Sequence, residues 1–419
     1  MNGAEVNGEA VVAGVPMEVA RARAGLLRVY EPPSVAVAMF IDRVGAVEAW
    51  RGVLTGRAPR AVLSATAARR QDMSATEAVR RSDADLAAAA AVGARLIGPG
   101  DAEWPAAAFA AFDGALIRGV RGACAPLALY VRGRSLAGLP GDGVTIVGSR
   151  ASSAYGQRVA GEMAHCLVSA GVTVVSGAAF GIDTAAHRAA LRAGGDGDPP
   201  TVAVLACGID RAYPEANRAL LDAIGAVGAV VSEYPPGTTP ARHRFLVRNR
   251  IIAALGAGTV VVEAGRRSGT LSTAAAADQL GRVVMAVPGP VTSAMSVGCH
   301  LLLADRFAQL VTGPADVLAV LGRVPEEDRQ AALPGTDPRH PTDGLDADTA
   351  RVYEALPGKG AVSAADMIAE SGLLGPQVLA SLAVLELHGL AERDGPRWRR
   401  VPVRRKRTQA GAVRALPGV

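Results

Sequence analysis

Apolar residues follow a strand-like pattern in the middle of the chain. Short runs rich in Val, Ile and Thr alternate there with longer helix-compatible stretches or loops. Such alternation predicts a parallel sheet with helices on both faces, because each parallel connection must cross over the sheet. The six predicted strands are Val144–Val147, Val172–Val175, Thr201–Leu205, Ala229–Ser232, Thr259–Glu263 and Val283–Val287. The fold class is therefore α/β, with a doubly wound parallel sheet.

The residues before this sheet have a helical period instead. From Arg21 to about Leu63 apolar residues recur at helical spacing, and residues 64–95 are rich in Ala and Arg. We predict an N-terminal helical domain of SAM-like or helix-hairpin-helix-like type over this part. The predicted segments are a tail at 1–20, the helical domain at 21–95, a connecting segment with the short strand Leu127–Val131 at 96–140, and the sheet domain at 141–322.

The C-terminal part reads as a small separate domain. Residues 323–344 carry four prolines and many charges without an apolar period, which predicts a linker. Three helices follow at 345–356, 363–370 and 376–388, and Asp394-Gly395 predicts a hairpin after them. Three helices and a hairpin indicate a winged helix over 345–403, followed by a basic tail at 404–419.

The charge of the chain is concentrated in two places. The chain has 419 residues and a net charge of +5, and half of its residues are hydrophobic, which excludes a wholly disordered protein. The stretch 397–407 holds six arginines and one lysine without an acid. The second cluster consists of Arg242, Arg244, Arg248 and Arg250.

Several classes of function are disfavoured. The four cysteines are far apart and show no CxxC or Cys/His ligand spacing, so we expect no metal, and nothing else in the sequence points to a cofactor. The chain shows neither a signal peptide nor a long apolar run. We therefore expect a cytoplasmic protein without membrane insertion.

The loops after the predicted strands carry phosphate-binding chemistry. In a parallel sheet, ligands bind at the carboxyl ends of the strands. Gly148, Ser149 and Arg150 follow the first strand, where backbone N–H groups, a hydroxyl and a guanidinium suit an anion. Gly177 and Phe180 follow the second strand, and Phe180 either packs against the sheet edge or stacks on a base.

The later loops extend this chemistry along the same edge. The second arginine cluster follows the fourth strand and encloses Phe245, so that charges for phosphates stand beside a ring for a base. Arg267 and Ser268 follow the fifth strand. Repetition along one edge favours an extended polyanion over a single small ligand. The alternative at this point is a solvated helix start, although a helix N-terminus prefers acids to cations.

Two nucleotide-binding motifs are absent, and several acids need partners. Neither GxGxxG nor GxxxxGK[ST] occurs, which disfavours NAD binding and an ATPase. Four acids follow the strands and would repel phosphate unless arginines pair with them, namely Asp183, Asp210, Glu233 and Glu263. A metal-assisted hydrolase that uses these carboxylates is the alternative, but no close ligand spacing supports it.

The loop motifs together resemble a known family. They comprise Ile146–Arg150, Ser176–Asp183 with Ala186-His187, Ala203–Leu205, Tyr213-Pro214 with Asn217, Ser232–Pro235, Phe245 with Arg248–Arg250, Val262–Ala264 with Ser268–Thr270, and Val287–Gly289. Over about 145–290 this set is similar to the DNA-processing protein A (DprA/Smf) family. The sequence departs from the family at Leu246 and at Gly298-Cys299-His300, as well as around Asp305–Phe307.

The resemblance implies a fold and a function. It implies an extended Rossmann-like domain that binds single-stranded DNA, forms a homodimer and loads the RecA recombinase onto incoming strands in natural transformation, without enzymatic turnover. It implies DNA contacts at Arg150, Arg242, Phe245, Arg248 and Arg250, while Gly148, Ser149, Gly177 and Ser268 shape the phosphate loops. Phe180 and Arg267 complete the predicted DNA-binding set.

Two other functions compete with this interpretation. One is a Rossmann-like nucleotide phosphoribohydrolase, whose Pro-Gly-Gly-x-Gly-Thr-x-x-Glu loop has no counterpart at Glu263–Thr270. The other is a regulator that binds double-stranded DNA through its winged helix. Release of free base from nucleotides would favour the first, and loss of all DNA binding without residues 345–419 would favour the second.

Overall fold

The apolar runs in the middle of the chain form strands of one nine-stranded sheet. The structure, a computed structural model, describes residues 11–12, 15–70, 73–120, 122–139, 141, 143–194, 199–323, 342, 344–358 and 360–401. The chain divides into two units, Met1–Arg323 and Val324–Val419, and each is described by itself. The predicted basic tail at 404–419 lies outside the described residues, as does most of the predicted linker.

Eleven strands are described in the first unit. They are β1 (Val11–Val12), β2 (Val15–Pro16), β3 (Ala94–Ile97), β4 (Leu129–Gly133), β5 (Gly143–Val147), β6 (Thr173–Ser176), β7 (Thr201–Leu205), β8 (Ala229–Ser232), β9 (Gly258–Val261), β10 (Val283–Ala286) and β11 (Gln309–Leu310). β1 and β2 pair only with each other. All six strands predicted from the pattern are present, as β5 to β10.

The sheet order explains where a ligand can bind. The strands lie in the order β11-β10-β9-β5-β6-β7-β8-β4-β3, parallel from β11 to β8, and β4 is antiparallel to both of its neighbours. The chain leaves β5 towards β6 on one side and returns later to β9 on the other. The loops after β5 and β9 therefore diverge, which opens a crevice at this switch point. The short strand predicted at Leu127–Val131 overlaps β4, whereas β3 is a strand that the sequence did not predict.

Thirteen helices surround the sheet in the described residues of this unit. They are α1 (Met17–Val29), α2 (Val35–Val44), α3 (Ala46–Leu54), α4 (Arg60–Arg70), α5 (Ala75–Ala91), α6 (Ala106–Ile117), α7 (Ala154–Ser169), α8 (Ile182–Ala193), α9 (Arg218–Val227), α10 (Arg242–Leu255), α11 (Thr270–Gln279), α12 (Val297–Ala304) and α13 (Pro314–Val320). The predicted C-terminal boundary of the tail at residue 20 is wrong, because α1 already begins at Met17.

Strand side chains alternate between the two faces of the sheet, and each face has its own helices. Val175 and Val204 face a core with α6, α10 and α11. On the other face Val144 packs with α7, α8 and α13, while Leu205 shares a core with Trp50 and other side chains of the N-terminal helices. The predicted helical domain at 21–95 therefore packs onto the sheet and has no separate core.

The second unit has the three predicted helices and the predicted hairpin of a winged helix, together with the short strand β12, which the sequence did not predict. They are α14 (Ala347–Ala355), β12 (Val362–Ser363), α15 (Ala364–Ser371), α16 (Gly375–Leu387), β13 (Ala391–Asp394) and β14 (Arg397–Arg400). Ser363 and Asp366 form the capping box that starts α15. Val352, Leu382 and Trp398 lie in a core of their own. No single described helix is long and apolar enough to cross a membrane, and only the bent pair α15 and α16 meets that test jointly, by length and composition.

Candidate nucleic-acid interface

An open cleft of about 720 Å³ lies at the carboxyl ends of β5 and β6, beside the switch point. The starts of α10 and α11 form one of its sides. It is lined by Val147, Gly148, Ser149, Arg150, Ala151, Ala179, Asp183, Tyr213, Arg242, Phe245, Leu246, Arg248, Asn249, Ile252, Ser268, Gly269, Thr270 and Thr273. The sheet topology thus brings together nine of the eleven predicted site residues: Gly148, Ser149, Arg150, Arg242, Phe245, Arg248, Ser268 and, beside a smaller hollow, Gly177 and Phe180.

The loop after β5 is held by hydrogen bonds from its neighbours. Ser149 donates its backbone N–H to the Glu263 carbonyl at 2.7 Å. The Glu263 carboxylate accepts from the backbone N–H of Ser153 at 2.9 Å and from its hydroxyl. The Ser153 hydroxyl in turn accepts from Gly156 N at 3.1 Å and caps α7. These bonds fix the backbone from which the exposed Arg150 side chain projects.

The loop after β6 closely contacts the Arg248 guanidinium. A Cβ atom on Gly177 would lie 2.7 Å from Arg248 Nη2, so a larger residue at this position would displace the guanidinium. Arg248 donates to the Gly177 carbonyl at 2.9 Å and also to the Val204 carbonyl. Burial lowers the pKa of Arg248 to about 10, and burial raises the pKa of the Asp183 carboxyl despite the opposing charge of Arg248. Arg248 remains a cation at neutral pH and forms part of the cleft wall.

Aromatic rings and a guanidinium meet at the mouth of the cleft. The Tyr213 and Phe245 rings lie 5.2 Å apart at 46°. Arg150 Cζ lies 5.1 Å from the centre of the Phe245 ring. A hollow of about 50 Å³ adjoins them and is also lined by Gly177 and by Phe180, which is 48% exposed. The arrangement offers π-faces and a cation at one point of the surface.

The four arginines of the second cluster have different environments. Arg242 is exposed at the start of α10. Arg244 donates to the Glu31 carboxylate at 2.8 Å. Arg250 is buried, and its Nη2 lies 2.7 Å from both carboxylate oxygens of Glu233.

This arrangement corrects the expected role of Arg250. Its guanidinium neutralises an acid inside the fold and lies over the Phe112 ring at 5.6 Å. Arg250 does not line the cleft. We therefore remove it from the predicted DNA contacts.

The loop before α11 contributes a hydroxyl and exposed cations. Ser268 lines the cleft and accepts a hydrogen bond from Thr270 N at 3.2 Å. The Thr270 hydroxyl donates to the Gly148 carbonyl at 2.9 Å and joins this loop to the loop after β5. Arg266 and Arg267 are exposed on the same loop, outside the cleft lining.

The acids after the strands have structural partners. The expected pairing with arginine is confirmed for Glu233. Asp210 accepts from Gly237 N at 2.9 Å, and Asp183 accepts from Ala179 N at 3.3 Å. Within the part of the chain that the structure describes, no group of three or more His, Cys, Asp or Glu side chains could hold a metal ion.

Sequence reasoning missed Tyr213 as a site residue. Its ring is 42% exposed and packs against Phe245, although Tyr213 lies in the loop after β7 and Phe245 lies on α10. The Tyr213-Pro214 pair lies after β7, and its place beyond a strand end was the available signal. Asn217 is a supporting residue, since its side-chain amide donates to the Ala178 carbonyl at 3.0 Å and to the Thr184 hydroxyl at 2.9 Å.

Comparison with known proteins identifies the family. The model of DNA recombination-mediator protein A matches residues 95–322, more than half of the chain. This chain belongs to the DNA recombination-mediator protein A family. A second model, the DprA winged helix domain, matches residues 336–395. The resemblance drawn from the loop motifs and the predicted fold class are thereby confirmed.

Individual members of the DNA recombination-mediator protein A family agree with this assignment. The chain is 47% identical to a DNA processing protein DprA of Mycobacterium tuberculosis over 384 residues, which cover 91% of this chain and 94% of that protein. It is 45% identical to the DNA processing protein DprA of Streptococcus pneumoniae over 195 residues, 46% of this chain and 67% of that one. The crystal structure of the Streptococcus pneumoniae protein has 31% sequence identity and a TM-score of 0.55, and the match covers 72% of this chain and 95% of that chain.

Proposed function

We propose that the cleft binds single-stranded DNA. The observation that carries this proposal is the position of Arg150 and Arg242 at the same cleft as the Phe245 and Tyr213 rings. Proteins that bind single strands combine cations for the phosphates with aromatic faces for unpaired bases. The proposed contacts are Gly148, Ser149, Arg150, Gly177, Phe180, Arg242, Phe245, Arg248, Arg267 and Ser268, together with Tyr213.

The chemistry of the cleft favours an unpaired strand over a duplex. A base can stack on Phe245 or Phe180 only when its face is free, and a duplex covers those faces by stacking. The backbone of the same strand would pass Arg242 and the start of α11, where backbone N–H groups and hydroxyls suit phosphate. Stacking on a ring and contacts to phosphates do not read base edges, so we expect little dependence on base sequence.

We further propose that the protein acts as a recombination mediator without catalytic turnover. It would protect incoming single-stranded DNA and load the RecA recombinase onto it during natural transformation. The family assignment and the DprA relatives support a role in DNA processing. The acids at the strand ends support binding without chemistry, because Glu233 and Glu263 are held in internal bonds. Cytoplasmic location stays a prediction.

A homodimer is the proposed assembly. The sheet ends at the short strand β11, and apolar side chains are exposed at this end: Leu301, Phe307 and Leu310. An open sheet edge flanked by apolar side chains is suited to pairing with a second copy. Light scattering should give twice the chain mass for the native protein and a smaller mass for Phe307→Glu with Leu310→Glu.

Fluorescence anisotropy tests the DNA proposal. Labelled single- and double-stranded oligonucleotides are titrated at two salt concentrations with the native chain and with Arg150→Ala/Arg242→Ala. We expect tighter single-strand binding by the native chain, and in the variant a weaker affinity with a salt slope lower by roughly 0.7 per lost phosphate contact. Arg188→Ala, an exposed arginine on α8 across the sheet, is the matched control.

One outcome would refute the cleft, and two others would support different functions. Equal binding by the double variant and the native chain would refute the proposed cleft. Release of free base from nucleoside monophosphates by the purified protein would support the phosphoribohydrolase instead. A preference for the duplex that disappears without residues 345–419 would support a winged-helix regulator.

A further inference from the structure

Helix α6 has an apolar outer side that the fold leaves uncovered. Its sequence holds one charged residue, Asp113, and is otherwise made of Ala, Phe, Gly, Leu and Ile. A helix that is apolar all round is normally buried all round. The inner side of α6 packs in the core through Phe109 and Phe112. The outer side leaves Ile117 86% exposed and Leu116 44% exposed.

A groove of about 420 Å³ runs between this helix and α2. Its floor is a row of aromatic rings, with the Trp104 and Phe109 ring centres 4.7 Å apart and those of Phe109 and Phe112 6.2 Å apart. Met39 of α2 and Leu116 of α6 form part of its walls. The groove thus has the size and lining of sites that accept apolar side chains.

Two carboxylates line this groove without a cation between them. Asp42 stands on α2 and Asp113 on α6. Burial and the charge of Asp113 raise the pKa of the Asp42 carboxyl. No ion pair between described side chains includes either acid. A cation supplied from outside the fold would relieve their repulsion.

We propose that this groove docks an amphipathic helix of a partner protein that carries arginine or lysine beside its apolar stripe. Apolar anchors at i, i+4 and i+7 would lie on the aromatic floor, as in other helix-in-groove complexes. The cations would lie against Asp42 and Asp113 and set the orientation of the helix. A neutral or acidic helix fits this charge pattern less well.

The groove is separate from the proposed DNA cleft but is joined to it by α10. The Arg250 guanidinium, from the middle of α10, lies over the floor residue Phe112, whereas Arg242 and Phe245 lie at the start of that helix. A partner helix and a DNA strand would therefore occupy different surfaces. We expect them to bind at the same time and without competition.

A synthetic helical peptide tests the docking site on the full chain. The labelled peptide carries leucines at i, i+4 and i+7 and two arginines on the flanks of that stripe. We expect Met39→Ser/Leu116→Ser to weaken its binding roughly tenfold through lost apolar contact. We expect Asp42→Asn/Asp113→Asn to weaken it roughly fivefold through lost ion pairs. Both pairs of positions are at least partly exposed, so the variants should fold.

Matched controls separate this proposal from its competitors. Asp305→Asn, an exposed acid after α12, should leave binding unchanged. With glutamines in place of the peptide's arginines, the Asp42/Asp113 variant should bind as well as the native chain. Saturating single-stranded oligonucleotide should not displace the peptide, because the two occupy different surfaces. The peptide experiment therefore tests the groove even if the cleft does not bind DNA.

Three outcomes would overturn the proposal. The first is no peptide binding, or equal binding by all variants. The second is a smaller assembly mass for Met39→Ser/Leu116→Ser, which would assign the groove to a second copy of this chain. The third is tighter peptide binding by a variant without residues 1–10, which would assign the groove to those residues.

Discussion

The start and the middle of α10 use the same residue type for different purposes. At its start Arg242 is exposed and Phe245 lies at the cleft. In the middle of the helix, Arg248 is buried against carbonyl oxygens and only borders the cleft, and Arg250 is buried against Glu233. The number of arginines in a sequence cluster therefore does not tell how much positive charge is accessible to a ligand. Partners within the fold decide which guanidiniums remain available.

Arg244 shows the same effect near the surface. A helix N-terminus disfavours cations, which makes an arginine cluster there look functional. Glu31, which follows α1, supplies the missing acid by binding both Arg244 and Arg69. Part of the cluster thus anchors the N-terminal helices to α10, and a smaller part can face DNA.

The largest expected effect concerns the buried middle of α10. Arg250→Ala should lower the free energy of unfolding by about 3–5 kcal/mol, because Glu233 would stay buried without its counter-ion. Chemical denaturation followed by circular dichroism measures this loss. Adding Glu233→Ala should recover part of it. If Arg250→Ala alone were as stable as the native chain, the structural role of Arg250 would be contradicted.

The next largest effect is expected for the aromatic surface at the start of α10. Phe245→Ala should weaken single-strand binding by about 1–3 kcal/mol, since a base loses its stacking surface. Anisotropy titration measures the affinity, and the same denaturation experiment checks that the fold is retained. Phe245→Trp keeps a π-face and should bind nearly as well as the native chain. Equal weakening by both substitutions would argue against stacking.

A smaller effect separates the two neighbouring arginines of the first turn. Arg242→Ala should lower the salt slope of single-strand binding by roughly 0.7, the share of one phosphate contact. Arg244→Ala should leave the slope nearly unchanged, because its guanidinium is bound to Glu31. Titrations at several salt concentrations measure both slopes. Identical slopes for the two variants would remove the distinction between them.

The smallest effect is expected in the winged helix. α16 contains no lysine or arginine, and its exposed side chains include Leu379 and Leu387. Arg397→Ala, an exposed cation on β14, should therefore leave the preference for single strands unchanged. Competition between single- and double-stranded oligonucleotides measures this preference. If Arg397→Ala instead preferred the double strand, the winged helix and not the cleft would determine the preference for single strands.

Local sequence patterns predicted the helices and strands that are specified by residues close together in the sequence. β5 to β10 follow from β-branched runs, and the capping box of Ser363 with Asp366 marked the start of α15. β3 and β11 were missed, because short edge strands depend on neighbours that are remote in sequence. The three helices and the hairpin of the winged helix were predicted because their ends carry local start or stop signals, whereas the two-residue strand β12 was missed.

The loops that form the candidate site were predicted from the sequence, but the side chains that pair with its arginines were not. Strand-end position alone selected the loops with Gly148, Arg150 and Phe245. Glu31 stands 213 positions before Arg244, and no periodicity connects them. Tyr213 reaches Phe245 only after β7 and β8 have paired. Long-range contacts thus decided which predicted residues belong to the cleft.

Photo-crosslinking tests the central claim most directly. A single-stranded oligonucleotide with 5-iodouracil is irradiated in complex with the full chain, and the crosslinked residue is located by mass spectrometry. The cleft predicts crosslinks at Phe245, Tyr213 or Phe180, which disappear when an unlabelled single strand competes. Crosslinks that map to Trp398 of the winged helix and spare all three cleft rings would contradict it.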